Sequence, residues 1–343
     1  MILVRTLERA GVDRVSQELA KRMAVPVVET KRYLSIPEVY SLLRRLRHMG
    51  QPVHLPSQHF ARYALLLRRP FIVTAHDLAR ICFAFAKESM SERIGLRLDA
   101  LGLKKAEHII AVSACTKADL MSYLGIPQER ISVIYNGIDR QVFKPVPAKR
   151  LPFPYLLYVG SERPRKNLNA LLAAFAALKR EAGAFLDLKL VKIGVAGRSK
   201  EFRQMTLREV GRLGLGEEVI FAEYVSDAEL AAYYSSAVAL VLPSLYEGFG
   251  LPLVEAMACG CPVIASNCSS LPEVAGDAGL FIDPHDADGL AQAMRRMVTE
   301  PALREQLMEK GFERVQRFSW DRAAQETLQV YRKVEAELGL GKQ

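Results

Sequence analysis

No apolar run in the 343 residues approaches the roughly eighteen uncharged residues of a membrane-spanning helix, which argues against an integral membrane protein. Residues 1–30 carry charges throughout and have no apolar centre, so a secretory leader is not expected. The five cysteines (Cys82, Cys115, Cys259, Cys261, Cys268) are odd in number and contain no Cys-x-x-Cys pair. Cys259-Gly-Cys261 is too tight for an ordinary zinc knuckle, and its apolar flanks read as buried thiols. A reducing, cytoplasmic setting is expected. The chain also lacks a helix-turn-helix, a zinc finger or an aromatic-rich basic sheet, so nucleic acid is not the expected partner despite the positive charge.

That charge is unevenly spread. The chain as a whole carries 47 Lys+Arg against 38 Asp+Glu, a net +9. Residues 1–150 hold 25 Lys+Arg against 13 Asp+Glu, and the remainder 22 against 25. A basic first half beside a near-neutral second half points to an anionic partner for the first half alone. Ile36–His48 sharpens this: apolar residues at 39, 42, 43 and 46 lie alongside Arg44, Arg45 and Arg47, with Arg68-Arg69 further on. Such a helix suits an anionic membrane surface, at about 1 kcal/mol per basic residue. A core-packed helix with a solvated basic face is the other reading. Peripheral contact with the inner membrane face is the expectation taken forward.

Short apolar runs alternate with helical patterns along the whole chain, which predicts an α/β fold with parallel sheets. In the first half, Ile2–Val4, Val25–Val28, Val53–Leu55, Phe71–Thr74, Ala106–Val112 and Ile131–Tyr135 read as strands. Asn136-Gly137 reads as a turn. Lys144–Pro154 has four prolines and no periodicity, so a stiff linker is expected there, with domains at 1–147 and 148–318. The second half restarts at Tyr155–Val159, and Trp320–Leu338 is the last of three closing helices.

The richest stretch is Tyr246-Glu-Gly-Phe-Gly-Leu-Pro-Leu-Val-Glu255. The apolar run Val238–Pro243 precedes it, and Pro252 and Gly260 suit the start and stop of a helix. A strand-to-helix crossover of this kind is where open α/β sheets bind ligands. Gly248 and Gly250 bring backbone N–H groups near a helix N-terminus, which favours an anion. Glu247 and Glu255, seven residues apart, add two acceptors. A ligand with both phosphates and hydroxyls, such as a nucleotide sugar, fits the set.

Glu-x7-Glu in this setting resembles the retaining glycosyltransferases of family 4, and Pro164-Arg-Lys-Asn with Phe318-Ser-Trp320 looks most like their mannosyltransferase branch. The resemblance implies the GT-B fold: two Rossmann-like domains facing a cleft, with residues 319–343 returning to the first domain. It implies that Gly248, Phe249, Gly250 and Leu251 hold the donor beside Glu247, which contacts the reacting sugar. Glu255 would take the ribose.

Gly160-Ser-Glu-Arg-Pro-Arg-Lys-Asn167 follows the second domain's first strand. Arg165 and Lys166 stand at a helix start, where the dipole disfavours cations by about 0.3–1 kcal/mol each. A diphosphate would account for them. The family often has an Arg straight after the strand-ending Gly; Ser161 stands there, and Arg163 or Arg165 would take its place. Thr74-Ala-His-Asp77 ends a strand of the first domain, and the resemblance carries a catalytic His to His76 and, more weakly, a contact to Asp77. The first loop has only Gly11 where the family has a glycine pair, and Gly11 is carried over as donor-binding.

The expected activity is hexose transfer, mannose favoured, from a nucleotide diphosphate sugar to a saccharide or lipid-linked acceptor. No metal and no cofactor are expected. The alternatives are another GT-B enzyme, such as a nucleotide-sugar epimerase, or a silent partner subunit that binds sugar nucleotide.

Overall fold

The structure, a computed structural model, describes all residues except 8–10, 32–33, 68, 84–88, 148–149, 182, 184, 198–199 and 341–343, together with the side chains of 11, 12 and 200. The chain forms two compact units, Met1–Gly137 with Ser319–Gln343, and Ile138–Phe318. The division falls after Gly137, ahead of the proline-rich stretch. That stretch belongs to unit two, where the Val146 N–H donates to Ser235 Oγ at 3.0 Å and the Arg150 N–H to Ser236 Oγ at 3.0 Å.

Unit one contains, in chain order, β1 (Ile2–Thr6), α1 (Gly11–Arg22), β2 (Val27–Thr30), α2 (Ile36–Met49), β3 (Val53–Leu55), α3 (Ala61–Ala64), β4 (Phe71–Ala75), α4 (Ala79–Cys82), α5 (Met90–Lys105), β5 (His108–Ala111), α6 (Ala114–Leu124) and β6 (Ile131–Val133). Its six strands pair in parallel in the order β2-β1-β3-β4-β5-β6. One face packs on α2, α3, α5 and α6 through residues such as Leu46, Phe60, Leu103 and Leu120. The other packs on α1 and the chain's last helix through Leu3, Leu19, Ile72, Ile110 and Trp320. Strands covered on both faces are largely apolar, which is why most of them read as short apolar runs, with His54 of β3 and His108 of β5 as buried polar exceptions.

Unit two contains β7 (Tyr155–Val159), α7 (Leu168–Lys179), β8 (Lys189–Ile193), α8 (Lys200–Arg212), β9 (Val219–Ala222), α9 (Asp227–Ser236), β10 (Ala239–Leu242), α10 (Leu251–Ala258), β11 (Val263–Ser266), α11 (Leu271–Ala275), β12 (Gly279–Ile282), α12 (Ala287–Thr299) and α13 (Pro301–Val315). The parallel order is β12-β11-β10-β7-β8-β9, so the winding reverses between β7 and β10. A reversal leaves a crevice at the strands' carboxyl ends. The last helix, α14 (Trp320–Glu337), belongs to unit one and packs against α1.

Two local expectations change. Sequence spacing puts a turn at Asn136-Gly137, but the chain runs without a turn until Arg140. A Cβ on Gly137 would meet the Trp320 backbone nitrogen at 2.2 Å. The glycine is there to let α14 start against it. Helix α5 has no counterpart among the helices read from sequence.

Candidate active site

The loops after β7 and β10 meet at the reversal point of unit two. Gly250 caps α10 with φ +95°, and a Cβ there would come within 2.9 Å of Leu271 Cδ2, so glycine is required on both counts. Pro252 lies in the first turn of α10, which contains no acidic residue to offset its positive end. Gly248, Phe249 and Gly250 are buried, Leu251 is half-buried, and the Phe249 ring meets Phe318 edge-on at 5.6 Å. Contact of Phe249 with a ligand would therefore run through its backbone.

Glu247 is buried and held at every polar atom named here. Its N–H donates to Ser269 Oγ at 2.9 Å, and its carbonyl accepts from Ser269 Oγ at 2.5 Å and Ser270 Oγ at 2.9 Å. Ser269 sits at φ +60°, a costly conformation for serine, and these bonds are what it secures. Oε1 accepts from Lys166 Nζ at 2.5 Å and Ser244 Oγ at 2.8 Å, and Oε2 from Arg165 at 3.2 Å. Burial pushes the carboxyl up, but the Lys166 and Arg165 charges outweigh it and bring it down to about 2. Glu247 is an ionised, immobilised carboxylate.

This pairing revises the reading of the two cations. Arg165 and Lys166 lie in a single 3₁₀ turn, Pro164–Lys166, before α7, and local structure does provide a partner for them: Glu247. Arg165 also donates to the Tyr246 carbonyl at 2.8 Å, and its own carbonyl accepts from the Leu245 N–H at 2.8 Å, tying the two loops together. Glu162, on the same strand-end loop, is buried against Lys192 at 2.9 Å and Arg203 at 2.8 Å. Glu255 is buried one turn inside α10, and its Oε2 accepts from Tyr234 Oη at 3.0 Å. Burial and that carboxylate push the Tyr234 phenol well up.

In unit one, His76 follows β4 and is buried. Its Nε2 lies 2.8 Å from the Pro56 carbonyl, which can only accept, so Nε2 carries a proton. Gln58 clamps the loop, accepting from the His76 N–H at 3.1 Å and donating to the Asp77 carbonyl at 2.9 Å. Asp77 Oδ1 accepts from the Ala79 N–H at 3.1 Å, which gives Asp77 a capping role. Gly11 opens α1, but the loop before it, residues 8–10, lies outside the described residues, as does Arg68.

Ser244, Ser269, Ser270, Tyr234 and Gln58 carry no motif and are not singled out by sequence. Their one available signal is position, since Ser244, Ser269 and Ser270 follow strands β10 and β11 at the carboxyl edge. Asp286-Ala-Asp288 has the spacing of a metal clasp, but Asp286 Oδ1 accepts from the Gly289 N–H at 2.8 Å and caps α12. No helix among the described residues is long and apolar enough to cross a membrane.

Comparison with known proteins places the chain in a family. Residues 139–314 match the model of the glycosyl transferases group 1, and residues 4–142 that of glycosyltransferase family 4. O-antigen chain mannosyltransferase B of Escherichia coli is 30% identical, with 94% of this chain and 96% of that protein covered. A D-inositol 3-phosphate glycosyltransferase of Thermobifida fusca is 32% identical over 86% of this chain and 73% of its own length. Among solved structures, sucrose-phosphate synthase from Thermosynechococcus elongatus superposes with a TM-score of 0.81 at 25% identity, covering 98% of this chain and 99% of that one. The Anabaena protein HepE in complex with UDP-glucose gives 0.79 at 18% identity, covering 97% and 99%, a likeness of fold.

Proposed function

The chain belongs to the group 1, family 4 glycosyltransferases of the GT-B fold, and on that premise we propose that it is a retaining mannosyltransferase using GDP-mannose. Mannose is favoured by the identity to O-antigen chain mannosyltransferase B over nearly the whole length of both chains. The observation that carries the reading is the Glu247–Lys166–Arg165 cluster at the reversal point between β7 and β10. An ammonium has three donors and a guanidinium five. Both cations can therefore bridge Glu247 and the donor's phosphate oxygens together.

The acceptor hydroxyl attacks the anomeric carbon on the face from which the diphosphate leaves, and a departing phosphate oxygen takes its proton. Lys166 and Arg165 stabilise the charge that grows on that phosphate. Glu247 accepts from hydroxyls of the reacting sugar, Glu255 from the ribose, and the amides of Gly248, Phe249, Gly250 and Leu251 with the N-terminus of α10 add donors. His76 is assigned to the reacting sugar, its protonated Nε2 spent on Pro56. No metal is needed in this scheme. The acceptor is a saccharide, free or lipid-linked, and an anionic bilayer surface is the place a lipid-linked one would be met.

Melting in the presence of GDP-mannose, UDP-glucose or UDP-N-acetylglucosamine tests the donor. GDP-mannose at a hundred times its Kd should add about 2.7 kcal/mol. Transfer should survive EDTA and give a product with the donor's anomeric configuration. Stabilisation by a uridine donor alone would overturn the GDP-mannose assignment, and an inverted product would overturn retention. Activity lost in EDTA and restored by Mg²⁺ would overturn the metal-free scheme.

A further inference from the structure

Helix α5 carries an exposed apolar stripe that nothing in the donor site uses. Met90 (72% exposed), Ile94 (51%), Leu98 (38%) and Leu101 (52%) recur at the three-and-four spacing that keeps side chains on one helix face. Arg93, Arg97, Lys104 and Lys105 flank the stripe, and all four are exposed. Among the described residues none of the four has an ion-pair partner. The helix's two acids are engaged elsewhere: Asp99 is buried against Arg62, and Glu92 pairs with Arg80 at 3.3 Å.

A second exposed apolar group lies on helices that cover the same face of the sheet. Helices α2, α3 and α5 cover the same face of the unit-one sheet, and α3 packs directly on α5. Arg47 of α2 donates to the carbonyl of Leu66, just beyond α3, at 2.7 Å. Leu66 (55% exposed), Tyr40 (68%) and Ile36 (87%) extend the apolar residues towards α2. Arg45 of α2 is turned back onto the Glu29 carbonyl at 3.1 Å, so α2 offers fewer outward charges than its sequence suggests.

We propose that the outer face of α5, extended by Leu66 and the exposed side of α2, seats the protein on an anionic lipid bilayer. Long apolar side chains enter the headgroup region, and the flanking cations meet lipid phosphates. Charge complementarity selects this occupant: the face joins cations that have no ion-pair partner among the described residues to apolar chains, and the acids nearest it, Glu92 on α5 and Glu38 on α2, are already paired with Arg80 and Lys31. A purely apolar stripe would suit a protein partner equally well. The proposal deepens the lipid-linked acceptor reading and rests on it only for its purpose.

Co-sedimentation with phosphatidylglycerol–phosphatidylcholine vesicles, compared with phosphatidylcholine alone, tests it. The wild type should bind the anionic vesicles, and less so as salt rises. Arg97→Glu with Lys104→Glu should weaken binding by on the order of thirtyfold or more, at about 1 kcal/mol per basic residue removed. Ile94→Asp with Leu98→Asp should weaken it at constant charge pattern on the flanks. Both variants should melt as the wild type and keep full transfer to a water-soluble acceptor analogue. Equal binding to neutral and anionic vesicles, unchanged binding by the variants, or self-association through α5 in place of vesicle binding would overturn it. A wild type that binds anionic vesicles but turns over no nucleotide sugar would instead overturn the proposed function and leave the bilayer seat standing.

Discussion

A carboxylate buried as deeply as Glu247 stays ionised only because two cations face it, so its chemistry and its stability are set together. Lys166 is half of the counter-charge for Glu247. Removing it leaves a buried carboxylate with Arg165 alone, and breaking such a pair costs about 3–5 kcal/mol. Lys166→Ala should therefore lower both melting and transfer, the latter by roughly 10²–10³. Lys166→Met with Glu247→Gln removes both charges and should recover melting but not transfer; recovery of both would deny the cluster a role in the reaction. The two acids should separate in kinetics. Glu255→Gln should mainly raise KM, because ribose does not react, while Glu247→Gln should mainly lower kcat. Matching losses of affinity alone in both variants would dissolve that division. At this scale the charged residues were legible because their types and spacing carry chemistry. Ser244, Ser269 and Ser270 were not, because they act by gripping Glu247 from loops that only the folded sheet brings near.

At the level of elements, α14 shows how an ordinary turn signal can mislead. Asn-Gly reads as a turn, yet Gly137 serves a close approach, and the Ser319 and Trp320 backbones occupy the space a Cβ would need. Gly137→Ala should displace the start of α14 and loosen it from unit one, seen as faster hydrogen exchange in α14 and a lower melting temperature. Unchanged exchange would mean that α14 is held by its later turns alone. One of those turns carries Tyr331, whose hydroxyl lies 2.7 Å from His54 Nδ1 in the sheet. Helix α5 escaped detection for a different reason. Its core-facing side is Gly95, Asp99, Gly102 and Leu103, while the apolar residues Met90, Ile94, Leu98 and Leu101 face outward, the reverse of the pattern that marks a core-packed helix. The strands were easier, since burial on both faces leaves short, mostly apolar runs.

Across the whole molecule, the alternation of strand and helix was legible, but strand order was not, because pairing between distant strands leaves no local trace in sequence. Only the order places the Lys166 and Glu247 loops side by side at the reversal between β7 and β10. The two units also differ in how they should respond to acid. Unit one contains His54 in β3 and His108 in β5, both buried. Burial brings His54 down to about 3, with His76 adding to the effect, and His108 down to about 4. A histidine kept neutral in the fold binds its proton in the unfolded chain first, so stability is full above the unfolded value near 6.5 and falls below it. Each group contributes a slope of about 1.4 kcal/mol per pH unit until its folded value is reached. The depressed carboxyl of Glu247 in unit two acts lower, its contribution present above about 4.5 and lost as pH falls towards about 2. The one histidine of unit two, His285, is exposed. Lowering the pH from about 7 to about 5 should therefore weaken unit one while leaving unit two nearly unchanged. Hydrogen exchange, corrected for intrinsic rates, should show amides of β3, β4 and β5 losing protection while those of β7, β8 and β10 keep theirs. His108→Gln should flatten the loss in unit one. Equal loss in both units, or earlier loss in unit two, would show that the buried histidines do not govern the acid response.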